Sequence, residues 1–443
     1  MEKLVPWLYR EYGEYVNKKK MLPLMVDGLL PVQRRVLLSL HMMAKTSYVK
    51  TAEVLGHTMG HFHPHAAAEG TATYLVQNEF CLGSGQWGTT FGINKIDPAA
   101  MRYTKMKASP FIEDMAFKFV NNIKWAEDEL KPEPIFLPTM IPICLFAKSD
   151  LVSIAFGFKC RIPAYNLKDL IRRLLYLEGR RKTKPTISPT IMGCEILSTK
   201  KELEELLTTG TGSISVRGIY EVSKKNYSII VRGWGPGTRF EAILSRIEKL
   251  MLAAGISRDD WIHRDSSNKN NGTKVVFEID KTRNRDPAFK ALVKSMKIAL
   301  EDRIKYDVIV VNLKGELARP SIDEMLSNTF KHWKFAFNNN TEERITNTIV
   351  LINEMMLIKK IRPYISMASK EPTVDGMITR LSTKSGVSEE DVKIVVDKYK
   401  IKKILTVDTD TKEYKDKIKR LKAVLSNIDK LSLDTYEELL ASK

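Results

Sequence analysis

The chain has 443 residues, room for roughly two to four domains, and 43% are hydrophobic, which supports packed cores and excludes a disordered chain. Its 71 Lys and Arg against 53 Asp and Glu leave a net charge of +18, which points to a polyanionic partner, nucleic acid before an acidic membrane surface. Four scattered cysteines (Cys81, Cys144, Cys160, Cys194) make no CxxC and no disulfide framework, and "MEKLVPWLYREYGEYV" has no apolar signal core, so the reading is a reduced cytoplasmic protein.

In "DGLLPVQRRVLLSLHMMAK", Asp27-Gly28 makes a turn and Pro31 suits a first helical position. Val32, Val36, Leu37, Leu40 and Met43 then form an apolar stripe, with Gln33, Arg34 and Arg35 at the helix start. A second helix fits Thr51 to Met59 and a third Ala66 to Gln77, followed by the Gly-rich strand region "LGSGQWGTTFG". That order is the order of a winged helix-turn-helix. Met140 to Phe158 is apolar, but Lys148, Asp150 and Pro142 make it two buried strands around a turn rather than a membrane span. "SISVRGIYEV" and "YSIIVRGW" alternate across the turn "SKKN" as a hairpin. "RFEAILSRIEKLMLAAG" is an amphipathic helix closed by Gly255, and "TKVVFEID" is a further strand, giving an α/β region from about 140 to 320.

The last third is helical. Leu326, Phe330, Trp333 and Phe337 recur at 4-3-4 spacing. Ile345, Ile349, Ile352 and Met356 continue after "NNNT", and Tyr414, Ile418, Leu421, Leu425 and Ile428 recur near the end. Between these seams Val392, Val395, Val396 and Tyr399 form a short apolar stripe. There is no GxxxxGK[ST] run, so the sequence shows no site for ATP, and the DxD at Asp408 reads as a solvated turn.

Two stretches carry chemistry. "GHTMGHFHPHAAAEG" places His57, His61, His63 and His65 close together, a spacing open to metal ligation, to phosphate binding or to ordinary packing. In "DPAAMRYTKMKASPF", Tyr103 stands between Arg102 and Lys105 on a segment entered through Pro98 and two alanines.

Together with the helix order, "AAMRYT", "HPH" and "SIAFGFKCRIPAYNL" resemble the breakage-reunion subunit of the type IIA DNA topoisomerases, the gyrase A and topoisomerase IV family. The resemblance runs from about residue 5 to 430 and is strongest in the first 170. It implies an α+β multidomain fold: a winged-helix DNA-cleavage domain over 1–140, an α/β tower over 141–320, and over 321–443 a long antiparallel coiled-coil arm with a small helical dimer gate. It also implies residue roles. Tyr103 matches the nucleophile that becomes joined to the 5′ end of a cut strand, and Arg102 the arginine beside it. A phenol ionises near pH 10, so it needs a neighbouring cation or base to attack at neutral pH. A guanidinium beside the phosphate also stabilises charge developing on the phosphoryl oxygens. His63 and His65 match the HPH pair near the scissile DNA, displacing the metal reading. Lys20, Arg34 and Arg35 match basic residues that hold DNA phosphates, and Ile162 matches the isoleucine that wedges between base pairs.

The sequence also departs from the family. Leu30 and Gln33 stand where cellular gyrases have Lys and His, Ala66 replaces a glycine, and the residues after "HPH" do not match the helix that carries quinolone contacts. The end at Lys443, without a wrapping β-propeller, is similar to the medium subunit of T-even-type bacteriophage topoisomerases, and implies relaxation and decatenation rather than negative supercoiling. The expected partners are double-stranded DNA, a second copy through the C-terminal gate, and a subunit carrying the ATPase and TOPRIM modules with Mg²⁺ and ATP. No membrane is expected, and the location is the cytoplasm, the host's if viral. The rival reading is a non-catalytic architectural protein that bends DNA.

Overall fold

A computed structural model of the chain describes residues 4–62, 68–126, 131–280 and 285–442. After the aromatic helix α1 (Leu4–Val16), helix α2 (Pro31–Met43) starts at the proline, where the Leu30 N–H donates to Gln33 Oε1 at 3.0 Å. Val36, Leu37 and Leu40 are buried as the periodicity requires, but so are Gln33 and Arg34, while Met43 is exposed. Helices α3 (Thr51–His61) and α4 (Glu69–Gln77) pack on this face. Strands β1 (Val49–Lys50), β2 (Cys81–Ser84) and β3 (Lys105–Ala108) form an antiparallel sheet in the order β1-β3-β2. Val36, Leu37, Leu55, Leu75, Phe80 and Met106 share one core under these elements.

Beyond it, Ile143–Phe146 is a single 3-10 turn, not the strand anticipated there. The hairpin that follows pairs Leu151–Ala155 with Phe158–Ile162 around Gly157, whose φ of +79° a side chain would disfavour. It forms one edge of a five-stranded sheet completed by Glu301–Asp307, Thr211–Gly218 and Cys194–Ile196. The run read as one strand, "SISVRGIYEV", is split. Its first half, Thr211–Gly218, lies in this sheet, and Tyr220–Ser223 pairs with Ser228–Val231 in a second sheet with Val275–Ile279 and Trp261–Asp265. The break falls at Gly218, where a Cβ would lie 2.3 Å from the Gly233 carbonyl oxygen. Helices Phe240–Ala253 and Arg285–Ala299 cover the second sheet around Trp261, Phe277 and Leu292.

The chain divides into two compact units, Met1–Trp333 with Tyr436–Lys443, and Lys334–Thr435. Within the first, the Met25 N–H donates to the Val311 carbonyl at 2.8 Å, joining the segments 1–140 and 141–320, and the Thr329 hydroxyl donates to the Val26 carbonyl at 2.6 Å, tying in the helix that follows them. Helix Ile322–Ile361 is continuous through "NNNT". Its buried seam runs through Thr341, Ile345, Thr348, Ile352 and Met355, so the 4-3 spacing holds while Ile349 and Met356 face outward. The C-terminal seam is two helices, Lys412–Ser426 and Ile428–Ala441. In the second unit Val392, Val395, Val396 and Tyr399 pack with Met355, Ile358, Ile361 and Leu381. The stripe read as a dimer contact is therefore the core of its own unit, anchored by the Tyr399 hydroxyl donating to Glu354 at 2.6 Å. On the helix that carries the stripe, Glu389–Thr406, Ile394 and Leu405 are the exposed large apolar residues. No described helix is long and apolar enough to cross a membrane.

In the first unit the Arg173 side chain is fully buried. It donates to Asp323 at 2.9 and 2.7 Å, to Glu204 at 3.2 and 2.7 Å and to the Pro185 carbonyl at 3.0 Å. One guanidinium thus ties helix Leu167–Leu177 to helix Lys200–Thr209 and to the first turn of helix Ile322–Ile361. Breaking such a set by removing one partner strands the others, so Arg173→Ala should lower the unfolding free energy by about 3–5 kcal/mol in denaturant titration. A loss under about 1 kcal/mol would mean that water satisfies both carboxylates, as at a surface pair.

Candidate nucleic-acid interface

Tyr103 closes a tight turn in which its own N–H donates to the Ala100 carbonyl at 2.8 Å. Both sides of the turn are anchored. Gly85, at φ +98°, lets the β2 end approach so closely that a Cβ there would lie 3.2 Å from the Tyr103 carbonyl oxygen. Thr104 is buried, its hydroxyl donating to Thr51 Oγ1 at 2.9 Å and its carbonyl accepting the Thr51 N–H at 3.0 Å, which fixes the turn to the start of α3. The phenol itself points outward, 69% exposed, with the Arg102 guanidinium 4.7 Å from its ring centroid. The turn therefore holds an exposed phenol on an anchored backbone, with a cation on its ring, open to a large partner rather than enclosed in a pocket.

The adjoining sheet supplies charge that the sequence reading missed. Lys50 and Lys105 are direct cross-strand partners on β1 and β3, both exposed, and neither has an ion-pair partner among the described residues. Lys107 lies over the Tyr48 ring at 4.9 Å. Like charges directly opposite destabilise a sheet, so the pair makes physical sense where an anion bridges them. Strand register carries this signal, and a one-dimensional reading of "SYVKT" and "RYTKMK" does not contain it.

The other anticipated residues divide. Lys20 is half-buried in the π-helical turn Asn17–Met21. Arg34 is an interior cation: it donates to Asp27 through Nε at 2.6 Å and Nη2 at 3.2 Å, and Asp27 has no exposure at all. Arg35 holds Glu133 in a fork, at 2.8 and 2.7 Å. The planar fork of Arg34 is thus spent on a buried carboxylate, and Arg35 is largely committed to Glu133 in the same way. His63 and His65 lie outside the described residues. Ile162 is 0% exposed, at the inward-facing end of its strand. Alternation on the same hairpin turns Val152 and Ile154 outward, and Ile154 is 76% exposed opposite the exposed Lys159. The period-2 pattern of "LVSIA" was the available signal.

His57 and His61 are structural. Their rings stack at 4.1 Å, His57 Nδ1 meets the Ser39 hydroxyl at 3.1 Å, and His61 Nδ1 bonds the His57 carbonyl at 2.9 Å. Burial, with the adjacent His61 and Lys131 charges, holds the His57 pKa below the usual histidine range. Among the described residues no three His, Cys, Asp or Glu side chains come together as a metal site.

The family model for the A subunits of DNA gyrase and topoisomerase IV matches residues 20–440. The DNA gyrase A protein of Brachyspira hyodysenteriae is 29% identical over 297 residues, covering 62% of this chain and 35% of the relative. The DNA topoisomerase 4 A protein of Neisseria gonorrhoeae is 27% identical over 374 residues, covering 72% and 46%. The DNA gyrase A protein of Thermotoga maritima is 24% identical over 454 residues, covering 94% and 54%. The chain therefore spans about half or less of these curated relatives.

The two kinds of cation should separate by salt dependence. Lys105→Ala should reduce the slope of log K for duplex DNA against log salt by about 0.9, one phosphate contact, without loss of stability. Arg34→Ala should leave the slope of the folded protein unchanged and cost about 3–5 kcal/mol of stability. A reduced slope for Arg34→Ala with stability intact would return that arginine to the interface.

Proposed function

The chain belongs to the family of DNA gyrase and topoisomerase IV A subunits, and from that membership we propose that it is the DNA-cleaving and resealing component of a type IIA topoisomerase. Tyr103 is the nucleophile. Its phenolic oxygen attacks a backbone phosphorus, the 3′ oxygen leaves, and the strand's 5′ phosphate is held as a phosphotyrosine diester. The reverse attack by the 3′ hydroxyl reseals the strand without new fuel, because one diester replaces another. Arg102, already on the phenol ring, is within reach of the same phosphate and stabilises its equatorial oxygens as charge develops there. Lys50 and Lys105 hold the flanking backbone. The observation that carries this reading is the Tyr103 turn, an exposed phenol on a backbone anchored on both sides.

A double-strand break needs two such tyrosines, so the protein works as a homodimer, in the winged-helix, tower and arm arrangement its family resemblance implies. The described residues of this chain bring together no carboxylate set for Mg²⁺, and the sequence has no P-loop. The family resemblance implies that the Mg²⁺ and ATP of the reaction sit on a partner protein with TOPRIM and ATPase modules, in the cytoplasm where the DNA is. Tyr103→Phe should bind duplex DNA with unchanged affinity yet form no protein-linked ends when mixed with that partner, Mg²⁺ and supercoiled plasmid. Protein-linked ends from the Phe variant would refute the assignment, and linked ends absent from both proteins would favour the rival, a DNA-bending protein without chemistry.

The duplex is bent at the hairpin edge, where Ile154 is the wedge and Lys159 beside it grips the backbone. An exposed apolar side chain among cations is what partial unstacking of a base step requires. Ile154→Ala should reduce the bend angle in a fluorescence-transfer assay and slow cleavage, while non-specific affinity stays within about twofold, since no charge is lost. An unaltered angle would exclude it.

A further inference from the structure

The loop between β2 and the Tyr103 turn is laced to itself. The Ala99 N–H donates to the Gln86 carbonyl at 2.9 Å, Trp87 and Pro98 form a bridge, the Thr89 N–H donates to the Ile96 carbonyl at 2.9 Å, and the Ile96 N–H returns to the Thr89 hydroxyl at 2.9 Å. Gly88, at φ +78°, has no room for a side chain, because a Cβ would lie 2.8 Å from the Ile96 carbonyl oxygen. Residues 86–99 are therefore a stiff double strand whose base runs directly into Ala100–Tyr103.

The tip of this lever does not float. It is seated on the second sheet and the turn that follows strand Trp261–Asp265. The Ile93 N–H donates to Asp265 Oδ2 at 2.9 Å and the Gly92 N–H to the Thr273 hydroxyl at 3.2 Å, while the Ile93 side chain packs against that sheet's core. Gly92, at φ +84°, allows the approach, since a Cβ there would lie 3.1 Å from Ser267 Cβ. The receiving turn is itself fixed: the Ser267 N–H donates to Asp265 Oδ1 at 2.9 Å and the Lys274 N–H to the Ser267 hydroxyl at 2.8 Å.

We propose that Asp265, with Thr273, is a positioning residue for Tyr103: by clamping the tip of the 86–99 loop it sets where the phenol stands relative to the scissile phosphate. The proposal rests on the reading of Tyr103 as the nucleophile. It gives a role to a carboxylate that receives the tip of the loop running into the Tyr103 turn. Burial acts to raise the Asp265 pKa, but hydrogen bonds from Ser267 and from the Ile93 and Asn94 amides outweigh it and hold the carboxyl below its usual range. The charge is consumed by the loop it holds.

The test uses the enzyme reconstituted with its ATPase and TOPRIM partner protein, a labelled duplex oligonucleotide and single-turnover kinetics, with the final adduct yield counting active molecules. Asp265→Ala should slow cleavage and resealing by the same factor, about tenfold or more, because misplacement by a fraction of an ångström acts on both directions. Duplex affinity and the final adduct yield should stay within about twofold, since no cation that binds phosphate is removed. Asp265→Asn, which keeps an acceptor for the Ile93 amide, should recover most of the rate, and Thr273→Val should cost about threefold, the loss of one weaker hydrogen bond. An unchanged rate per active molecule in Asp265→Ala would overturn the proposal. So would a loss confined to melting temperature or active fraction, which is what a purely structural role predicts. No adduct from the unaltered enzyme would instead remove the nucleophile reading, and the clamp with it.

Discussion

One buried carboxylate organises the end of the molecule that presents Tyr103. Asp27 has no exposure, yet four donors converge on its two oxygens: Arg34 Nε and Nη2, and the Leu29 and Leu137 N–H groups. Its own carbonyl accepts the Ile143 N–H at 2.8 Å, and Gly28 follows at φ +68° because a Cβ would lie 2.6 Å from Cys144 Sγ. A buried charge is tolerable when its partner is close and every lone pair is used. Here the arrangement sets the entry angle of α2, and α2 is the floor on which α3, α4 and the small sheet pack. The Tyr103 turn hangs from that sheet and from the first residue of α3.

The positive charge of the chain is sorted by side-chain type. Arg34, Arg35, Arg161 and Arg173 each reach a carboxylate through two nitrogens, and Arg35 and Arg173 thereby hold segments distant in sequence together. Around the Tyr103 turn, by contrast, the outward cations are Lys50, Lys105 and the single Arg102. A flexible ammonium on a strand can follow a backbone phosphate, while a planar guanidinium suits a carboxylate whose position is fixed. Arg102 is the exception, its guanidinium lying on the Tyr103 ring, and it fits the proposed reaction, in which the phosphoryl oxygens of the transition state occupy one place.

What could be read from the sequence follows from this sorting. The order of helices α2 to α4 and the turn joining Tyr220–Ser223 to Ser228–Val231 were legible because period and turn chemistry are local, whereas the strand pair expected over Met140–Phe158 lies further along, as Leu151–Ala155 with Phe158–Ile162. The burial of Arg34 was not legible because its partner, Asp27, lies seven residues away around a turn and a helix start, and a family match assigns a residue type without its hydrogen bonds. Ile162 was preferred to Ile154 by motif, although in "LVSIAFGFKCRI" the alternation puts one inside and the other out. The stripe Val392 to Tyr399 is amphipathic in either role, and nothing in its spacing distinguishes a dimer face from a core. The Gly218 break and the Asp265 clamp depend on backbones more than ten residues apart, beyond the reach of any periodicity.

The central claim is that a DNA strand is joined to one tyrosine of this chain, and its most direct measurement is chemical. The chain, its partner protein and Mg²⁺ are mixed with plasmid, the covalent complex is trapped with denaturant, the DNA is trimmed by nuclease, and the modified peptide is sequenced by mass spectrometry. The account predicts a nucleotide remnant attached through its 5′ phosphate to the phenolic oxygen of Tyr103. A remnant on any other residue, such as the neighbouring exposed Tyr48, or a 3′ linkage, would contradict it.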